Sequence, residues 1–189
     1  MSSPRIIAGK AKGTRLLPVP GDSTRPITDR VKEALFNILS PDIQDASFLD
    51  LFGGTGSVGI EALSRGARDC VFLEINEKAI NTIKENLKRT KTVEQAQVIR
   101  TDALRFLSLP AQRRFEYIYI APPQYKGIWE KAVSLVDDNI ELLADDGWLI
   151  VQIHPVEYTR LETKALVEFD QRKYGSTLLV FYERKLTDA

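Results

Sequence analysis

One cysteine and one histidine occur among 189 residues. A single cysteine forms no disulfide within the chain and supplies no thiolate cluster for a metal. Cys70 opens the apolar run Cys70–Leu73 and reads as a buried, inert thiol. His154, directly before Pro155, has no evident partner for acid–base work and reads as structural. No apolar run approaches the roughly 20 residues of a membrane-spanning helix. The polar, basic first 15 residues lack the apolar segment of a secretory signal. Net charge is missing as well: 26 Lys and Arg balance 26 Asp and Glu, which argues against a uniformly basic nucleic-acid binder. These absences point to a cytoplasmic protein without metal, and 43% hydrophobic residues suffice for a core in a chain of one-domain length.

The charge that is present is unevenly placed. Residues 1–32 carry Arg5, Lys10, Lys12, Arg15, Arg25, Arg30 and Lys32 against Asp22 and Asp29, a local net charge of +5. Such an asymmetry points to an anionic partner near the N-terminus; a solvated basic tail is the alternative. Arg5–Ala8 and Thr14–Leu17 flank Gly9–Gly13 and predict a small β-hairpin with lysines at its tip. Pro18–Pro26 reads as a connector. A helix is then expected from Thr28 as N-cap, with Val31, Ala34, Leu35, Ile38 and Leu39 on one apolar face and Pro41 ending it. This divides the chain into a basic extension, residues 1–26, and a main domain, residues 27–189.

From Phe48 onward, strands and helices alternate. Strands are predicted at Phe48–Phe52, Cys70–Leu73, Gln97–Arg100, Tyr117–Ile120 and Trp148–Ile153, and helices at Val58–Arg65, Glu77–Arg89, Ala103–Leu107 and Ile128–Asp138. Continuous apolar strands between amphipathic helices indicate a parallel sheet covered on both faces. Leu166–Tyr174 and Thr177–Arg184, joined at Gly175-Ser176, read instead as an antiparallel pair. An antiparallel finish is unusual for a nicotinamide-binding domain.

The segment Leu49–Gly59 reads L-D-L-F-G-G-T-G-S-V-G, and Glu74 closes the next apolar run. Gly54, Gly56 and Gly59 fit G-x-G-x-x-G, with an acidic residue roughly 20 positions on, the fingerprint of a nucleoside-containing cofactor. A carboxylate at the tip of the second strand can accept both ribose hydroxyls. Asp50, just before the loop, could receive a ligand amine or organise the turn. Thr101-Asp102-Ala103 follows the third strand, where Asp102 could meet an adenine amine, cap the next helix, or do both. Ala121-Pro122-Pro123-Gln124-Tyr125 follows the fourth strand. In open α/β sheets, ligands bind beyond the carboxyl ends of the strands, so these segments would share one crevice. Trp129 and Trp148 read as core or rim residues.

At these residues the chain resembles class I S-adenosylmethionine-dependent methyltransferases. The string Thr24-Arg25-Pro26-Ile27-Thr28-Asp29-Arg30-Val31-Lys32-Glu33-Ala34-Leu35-Phe36-Asn37 is similar to the signature of the RsmD family, bacterial ribosomal RNA guanine-N2 methyltransferases. So are Arg5-Ile6-Ile7-Ala8-Gly9, Glu61–Ala67 and Arg172-Lys173-Tyr174-Gly175. The resemblance implies a Rossmann-like fold: a mostly parallel seven-stranded sheet ending in an antiparallel hairpin, with the N-terminal hairpin as an extension. It implies S-adenosylmethionine as cofactor, with Gly53, Gly54 and Gly56 lining its methionine part, Glu74 on the ribose, Asp102 and Ala103 flanking the adenine, and Asp50, Thr55 and Ile75 also in the cofactor site. It implies small-subunit rRNA as partner, alone or within a 30S assembly particle, met by a monomer through Lys10, Lys12, Arg15, Arg25, Thr28 and Arg30. Phosphate contacts of this kind give affinity without reading sequence.

Amino-methyltransferases usually place Asp or Asn before Pro-Pro and an aromatic residue directly after, so that acceptors hold the amine while the ring stacks on the base. Here Ala121 replaces the acid or amide, and Gln124 precedes Tyr125. The expected catalytic set is Ala121, Pro122, Pro123, Gln124 and Tyr125: backbone carbonyls of Ala121 and Pro122 with the Gln124 amide oxygen hold the amine, and Tyr125 stacks. The expected reaction is methylation of an exocyclic guanine N2 in 16S rRNA. Alternatives are methylation of a DNA adenine-N6 or a protein glutamine, or a weakened cofactor- and RNA-binding relative.

Overall fold

The computed structural model describes residues 3–21 and 26–187; Arg25 lies outside the described residues. The chain carries the seven strands of a mixed sheet and divides into two compact units, Met1–Asp102 and Ala103–Ala189.

In the first unit, helix α1 (Asp29–Leu39) begins where expected: Thr28 accepts from the Val31 N–H at 3.3 Å. Its buried face is Val31, Lys32, Leu35, Phe36 and Leu39, with Ala34 and Ile38 only half-buried, so the inward stripe is rotated from the one predicted and includes a lysine. Strands β1 (Ser47–Asp50), β2 (Asp69–Glu74) and β3 (Ala96–Arg100) are parallel, with β2 paired to both others. All four residues of β1 are buried, as a strand covered on both faces requires. It ends at Asp50 rather than Phe52, because the chain already turns into the glycine loop.

Helix α2 (Ser57–Ser64) is buried along its whole length. Gly59 allows this: a Cβ there would lie 2.3 Å from the Phe72 ring and 2.7 Å from Cys70 Sγ. The third glycine of the fingerprint therefore serves helix–strand packing, and Cys70 is the buried thiol expected. Helix α3 (Glu77–Thr90) starts at Asn76, which accepts from the Ala79 N–H at 3.2 Å, and ends with Lys88 and Arg89 against its carbonyl end.

The N-terminal hairpin consists of a single antiparallel bridge between Arg5 and Arg15, with Ile6 N–H on the Thr14 carbonyl and Gly13 N–H on the Ile6 carbonyl. Its tip does not project freely. Lys10 N–H donates to the Ser64 carbonyl at 2.8 Å, Ala11 N–H donates to Ser64 Oγ at 2.9 Å, and Ile6 and Leu16 are buried.

The second unit holds helix α4 (Ala103–Ser108), strand β4 (Phe115–Ile120), helix α5 (Ile128–Asp138) and strands β5 (Leu143–Ile153), β6 (Leu166–Tyr174) and β7 (Thr177–Arg184). β4 and β5 are parallel; β7 pairs antiparallel with both β5 and β6. β5 starts at Leu143, five residues before the predicted Trp148, with Asp145-Asp146-Gly147 inside the strand. A register shift opposite Phe115/Tyr117 absorbs those residues and lets the strand continue through them. Trp129 is buried and Trp148 half-buried, packing on Tyr117, Phe169 and Phe181.

Candidate active site

The glycine loop of the first unit is tied to the tip of β2. Glu74 Oε2 accepts from the Gly54 N–H at 3.0 Å, while Oε1 accepts from the Ile75 and Asn76 N–H groups at 2.9 and 3.0 Å. Gly53 N–H donates to the Leu73 carbonyl at 2.9 Å and Gly56 N–H to the Gly53 carbonyl at 2.8 Å. Gly54 has φ +56°, and nothing lies within 4 Å of where its Cβ would be. That combination of left-handed backbone and open space is what close approach of a ligand to the main chain needs. Thr55 Oγ1 accepts from the Ser57 N–H at 3.2 Å. Ile75, beside Glu74, is a large apolar side chain left 61% exposed.

Asp50 is the electrostatic centre of this loop. It is 2% exposed, and its Oδ1 has no hydrogen-bond partner among the described residues. Burial pushes its carboxyl up to about 7; backbone hydrogen bonds from Phe52 and Gly59 oppose this, and the negative charge of Glu74 adds to it. A buried carboxyl oxygen without a partner is costly and suits a cationic group of a ligand. Asp102 follows β3 at an exposed position, and the Thr101 N–H donates to the Glu74 carbonyl at 3.1 Å; Ala103 is buried at the start of α4. Asp50, Gly53, Gly54, Thr55, Gly56, Glu74 and Ile75 are thus brought together around one loop.

Three supporting residues escape a reading of the sequence. Lys32, 1% exposed, donates from Nζ to the Arg5 carbonyl at 2.5 Å and Ser57 Oγ at 2.9 Å, and pairs with Glu61 at 3.5 Å. Burial lowers its pKa, with Glu61 pulling the other way. Glu61, fully buried, also pairs with Arg65 at 3.3 Å and accepts from the Ile7 N–H at 2.8 Å. Asn86 accepts from the Leu17 N–H at 2.7 Å and donates to the Leu17 and Thr55 carbonyls at 3.1 and 2.9 Å. Lys32 therefore does not belong to the surface charge of the N-terminus. A charged residue inside the apolar stripes of α1 and α2 is the only sequence signal for Lys32 and Glu61; Asn86 gives none.

Of the basic candidates, Lys12, Arg15 and Arg30 are exposed, Lys10 Nζ donates to Gln95 Oε1 at 3.0 Å, and Thr28 is committed to capping α1. Arg5 pairs with Asp29 at 2.7 Å, linking the hairpin base to the start of α1. Among the described residues, no group of three His, Cys, Asp or Glu could hold a metal ion, and no helix is long and apolar enough to cross a membrane.

In the second unit, Ala121 and Pro122 are half-buried while Pro123, Gln124 and Tyr125 are exposed. Tyr125 is 65% exposed and holds φ +62°, a left-handed conformation that costs an aromatic residue about 1–2 kcal/mol. Its N–H donates to Glu157 Oε1 at 2.7 Å, and its ring lies 6.1 Å from that of His154. His154 itself is structural: Nδ1 accepts from the Val156 N–H at 3.2 Å, capping the short turn Pro155–Glu157.

The family described as "Conserved hypothetical protein 95" matches residues 4–183. YlbH of Bacillus subtilis (strain 168) is 41% identical over 184 residues, which cover 96% of this chain and 99% of that protein. Ribosomal RNA small subunit methyltransferase D of Haemophilus influenzae is 43% identical over 137 residues, 71% of each chain. Among solved structures, yhhF of Escherichia coli superposes with a TM-score of 0.85 at 32% identity, covering 96% of this chain and 97% of that one. The fold is the Rossmann-like one of class I methyltransferases.

Proposed function

The chain belongs to the Conserved hypothetical protein 95 family, which includes ribosomal RNA small subunit methyltransferase D, and on that premise we propose that it methylates the exocyclic N2 amine of a guanine in bacterial 16S rRNA, using S-adenosylmethionine. The observation that carries the cofactor half is the unpartnered, buried Asp50 Oδ1 beside a glycine loop clasped by Glu74. The substrate half is supported by identity to the Haemophilus influenzae enzyme over 71% of this chain.

When bound, S-adenosylmethionine supplies an electrophilic methyl group on a sulfonium. Asp50 would hold the cofactor's ammonium group, and the open space at Gly54 would let its methionine part approach the main chain. Glu74, already accepting from three N–H groups, would offer its one remaining lone pair to a ribose hydroxyl, Asp102 and Ala103 would flank the adenine, and Thr55 and Ile75 would complete the cofactor site. The guanine amine is a poor nucleophile, because its lone pair is delocalised into the ring. Acceptors on its two N–H groups draw the nitrogen toward a tetrahedral shape, and positioning supplies much of the remaining acceleration.

In this chain the acceptors are the backbone carbonyls of Ala121 and Pro122 and the Gln124 amide oxygen, with Pro123 stiffening the segment and Tyr125 stacking on the base. Lacking the usual acid or amide at Ala121 removes one hydrogen bond to a developing cation, worth about 1.5–3 kcal/mol, or roughly ten- to a hundred-fold in rate. Lys10, Lys12, Arg15, Arg25 and Arg30 meet RNA phosphates, and Thr28 orders the helix beside them. On this reading residues 1–26 are an RNA-contacting extension of a methyltransferase body, and the protein works as a cytoplasmic monomer on rRNA, naked or in a 30S assembly particle.

The test is transfer of labelled methyl groups onto purified 30S particles and onto naked rRNA, with mapping of the modified nucleotide. A single guanine modified at N2 is the expected result; label on protein, on adenine or nowhere would overturn it. Single-turnover rates of Ala121→Asp and Gln124→Ala then test the acceptor assignment. Gln124→Ala is expected to slow transfer; a large gain for Ala121→Asp without loss for Gln124→Ala would sink it.

A further inference from the structure

The segment after the two prolines carries a residue that its sequence neighbours do not hold in place. Tyr125 is exposed and has a left-handed backbone, so neither burial nor intrinsic preference keeps it where it is. In the family's pattern the aromatic residue follows the prolines at once. Here Gln124 intervenes, and an added residue leaves the ring's placement undetermined unless something outside the motif sets it.

One side chain does so. Glu157 Oε1 accepts from the Tyr125 N–H at 2.7 Å, across 32 positions of sequence. Its other oxygen accepts from the His154 N–H at 3.2 Å, so the carboxylate is itself oriented by the turn Pro155–Glu157 at the end of β5. A charged acceptor on a backbone N–H is among the stronger and more directional hydrogen bonds available. The His154 ring stands on the same turn, tilted 40° to that of Tyr125. One carboxylate thus joins the end of a sheet strand to the main chain of the stacking residue.

We infer that Glu157 is a positioning residue: through the Tyr125 N–H it fixes the ring against which the target base is held. The inference rests on the methyltransferase reading above. Glu157 touches neither methyl donor nor amine in this role; it acts through the Tyr125 main chain.

The experiment uses the full chain with 30S particles under single-turnover conditions at saturating RNA. Glu157→Ala is expected to lower the transfer rate about ten-fold or more, as a misplaced reactant would, with S-adenosylmethionine affinity by calorimetry within about two-fold of wild type. Glu157→Gln, which keeps an acceptor oxygen, is expected to recover most of the rate. In a Tyr125→Ala background, Glu157→Ala is expected to cost less than about two-fold more, since residues acting through one contact are not additive. Amide exchange at 15N-labelled Tyr125 reads the contact without reference to catalysis, and is expected to accelerate in Glu157→Ala.

Wild-type transfer by Glu157→Ala, full additivity with Tyr125→Ala, or a parallel loss of cofactor affinity would each overturn the positioning role. Failure of the wild type to methylate any rRNA would overturn the functional reading and the inference with it, while amide exchange would still report whether Glu157 holds Tyr125.

Discussion

The glycine loop and the loop after the two prolines are held in opposite ways. Around the glycines, Glu74 gathers three backbone N–H groups, Asn86 ties the Thr55 carbonyl to Leu17, and Lys32 fastens Ser57 to the hairpin and to Glu61. Around the prolines, Tyr125 stands 65% exposed, its N–H on the Glu157 carboxylate and its ring beside that of His154. On the proposed function, a loop that presents the same amides and carboxylates to the same cofactor would benefit from being over-determined. On the same reading, a loop that admits a base drawn out of an RNA loop would benefit from having little packed upon it. The first loop is fastened by buried and half-buried contacts while the second is exposed, so substitutions at the first are expected to cost more folding stability than those at the second.

The strongest way to break this contrast is Lys32→Met. It leaves the fully buried Glu61 with Arg65 and backbone N–H groups but without its ammonium partner. Removing one member of a buried pair costs about 3–5 kcal/mol, a large share of the roughly 5–15 kcal/mol that holds a domain folded. Urea unfolding measures it. The exposed network of Arg114 with Glu141 and Asp145 is the control in the second unit; Arg114→Ala should cost under about 1 kcal/mol. Equal losses from the two variants would erase the distinction.

Asp50 gives the next effect, and it depends on pH. Its folded pKa, about 7, stands above the ordinary 3.8, because burial penalises the carboxylate. The cofactor-free folded protein therefore keeps a proton that the unfolded chain gives up near pH 4. Stability is full below that pH and is lost as pH rises toward 7. Between pH 5 and pH 8 the loss is on the order of 3 kcal/mol. Thermal melts of wild type and Asp50→Asn should converge as pH falls and diverge as it rises, the wild type being the one that declines. Saturating S-adenosylmethionine should narrow the gap at pH 8 by offering its ammonium group to the carboxylate. Parallel curves for the two proteins would show that Asp50 is ionised throughout.

The same contrast explains what could be read from sequence. Helix α5 and strands β6 and β7 have their predicted limits, since each is bounded by turn chemistry within a few residues. The turn of the glycine loop was legible because its left-handed positions, Gly54 and Gly56, demand glycine, and Glu74 because it closes an apolar run. Lys32, Glu61 and Asn86 were not: periodicity marks which face of a helix turns inward, and says nothing of the partner a charged or polar residue finds there. Glu157 was invisible for a related reason, being 32 positions from the N–H it accepts. β5 was foreshortened because a β-bulge can carry an Asp-Asp-Gly sequence through a strand.

The smallest expected effect on folding sharpens the comparison most. Tyr125→Ala removes an exposed ring whose backbone is already strained, and surface substitutions away from packed features change stability within about 0.5 kcal/mol. Calorimetric affinity for S-adenosylmethionine should stay within about two-fold, since on the proposed function Tyr125 meets the base and not the cofactor. Transfer to 30S particles should nevertheless fall by about ten-fold or more, because stacking on one base is worth roughly 1–3 kcal/mol. Tyr125→Phe, which keeps the ring and loses only the hydroxyl, should restore it. A variant that melts early would mean that Tyr125 belongs with the glycine loop as a structural element, and an alanine variant as active as wild type would remove the ring from turnover. Loss of turnover with folding and cofactor affinity intact would place the ring on the base.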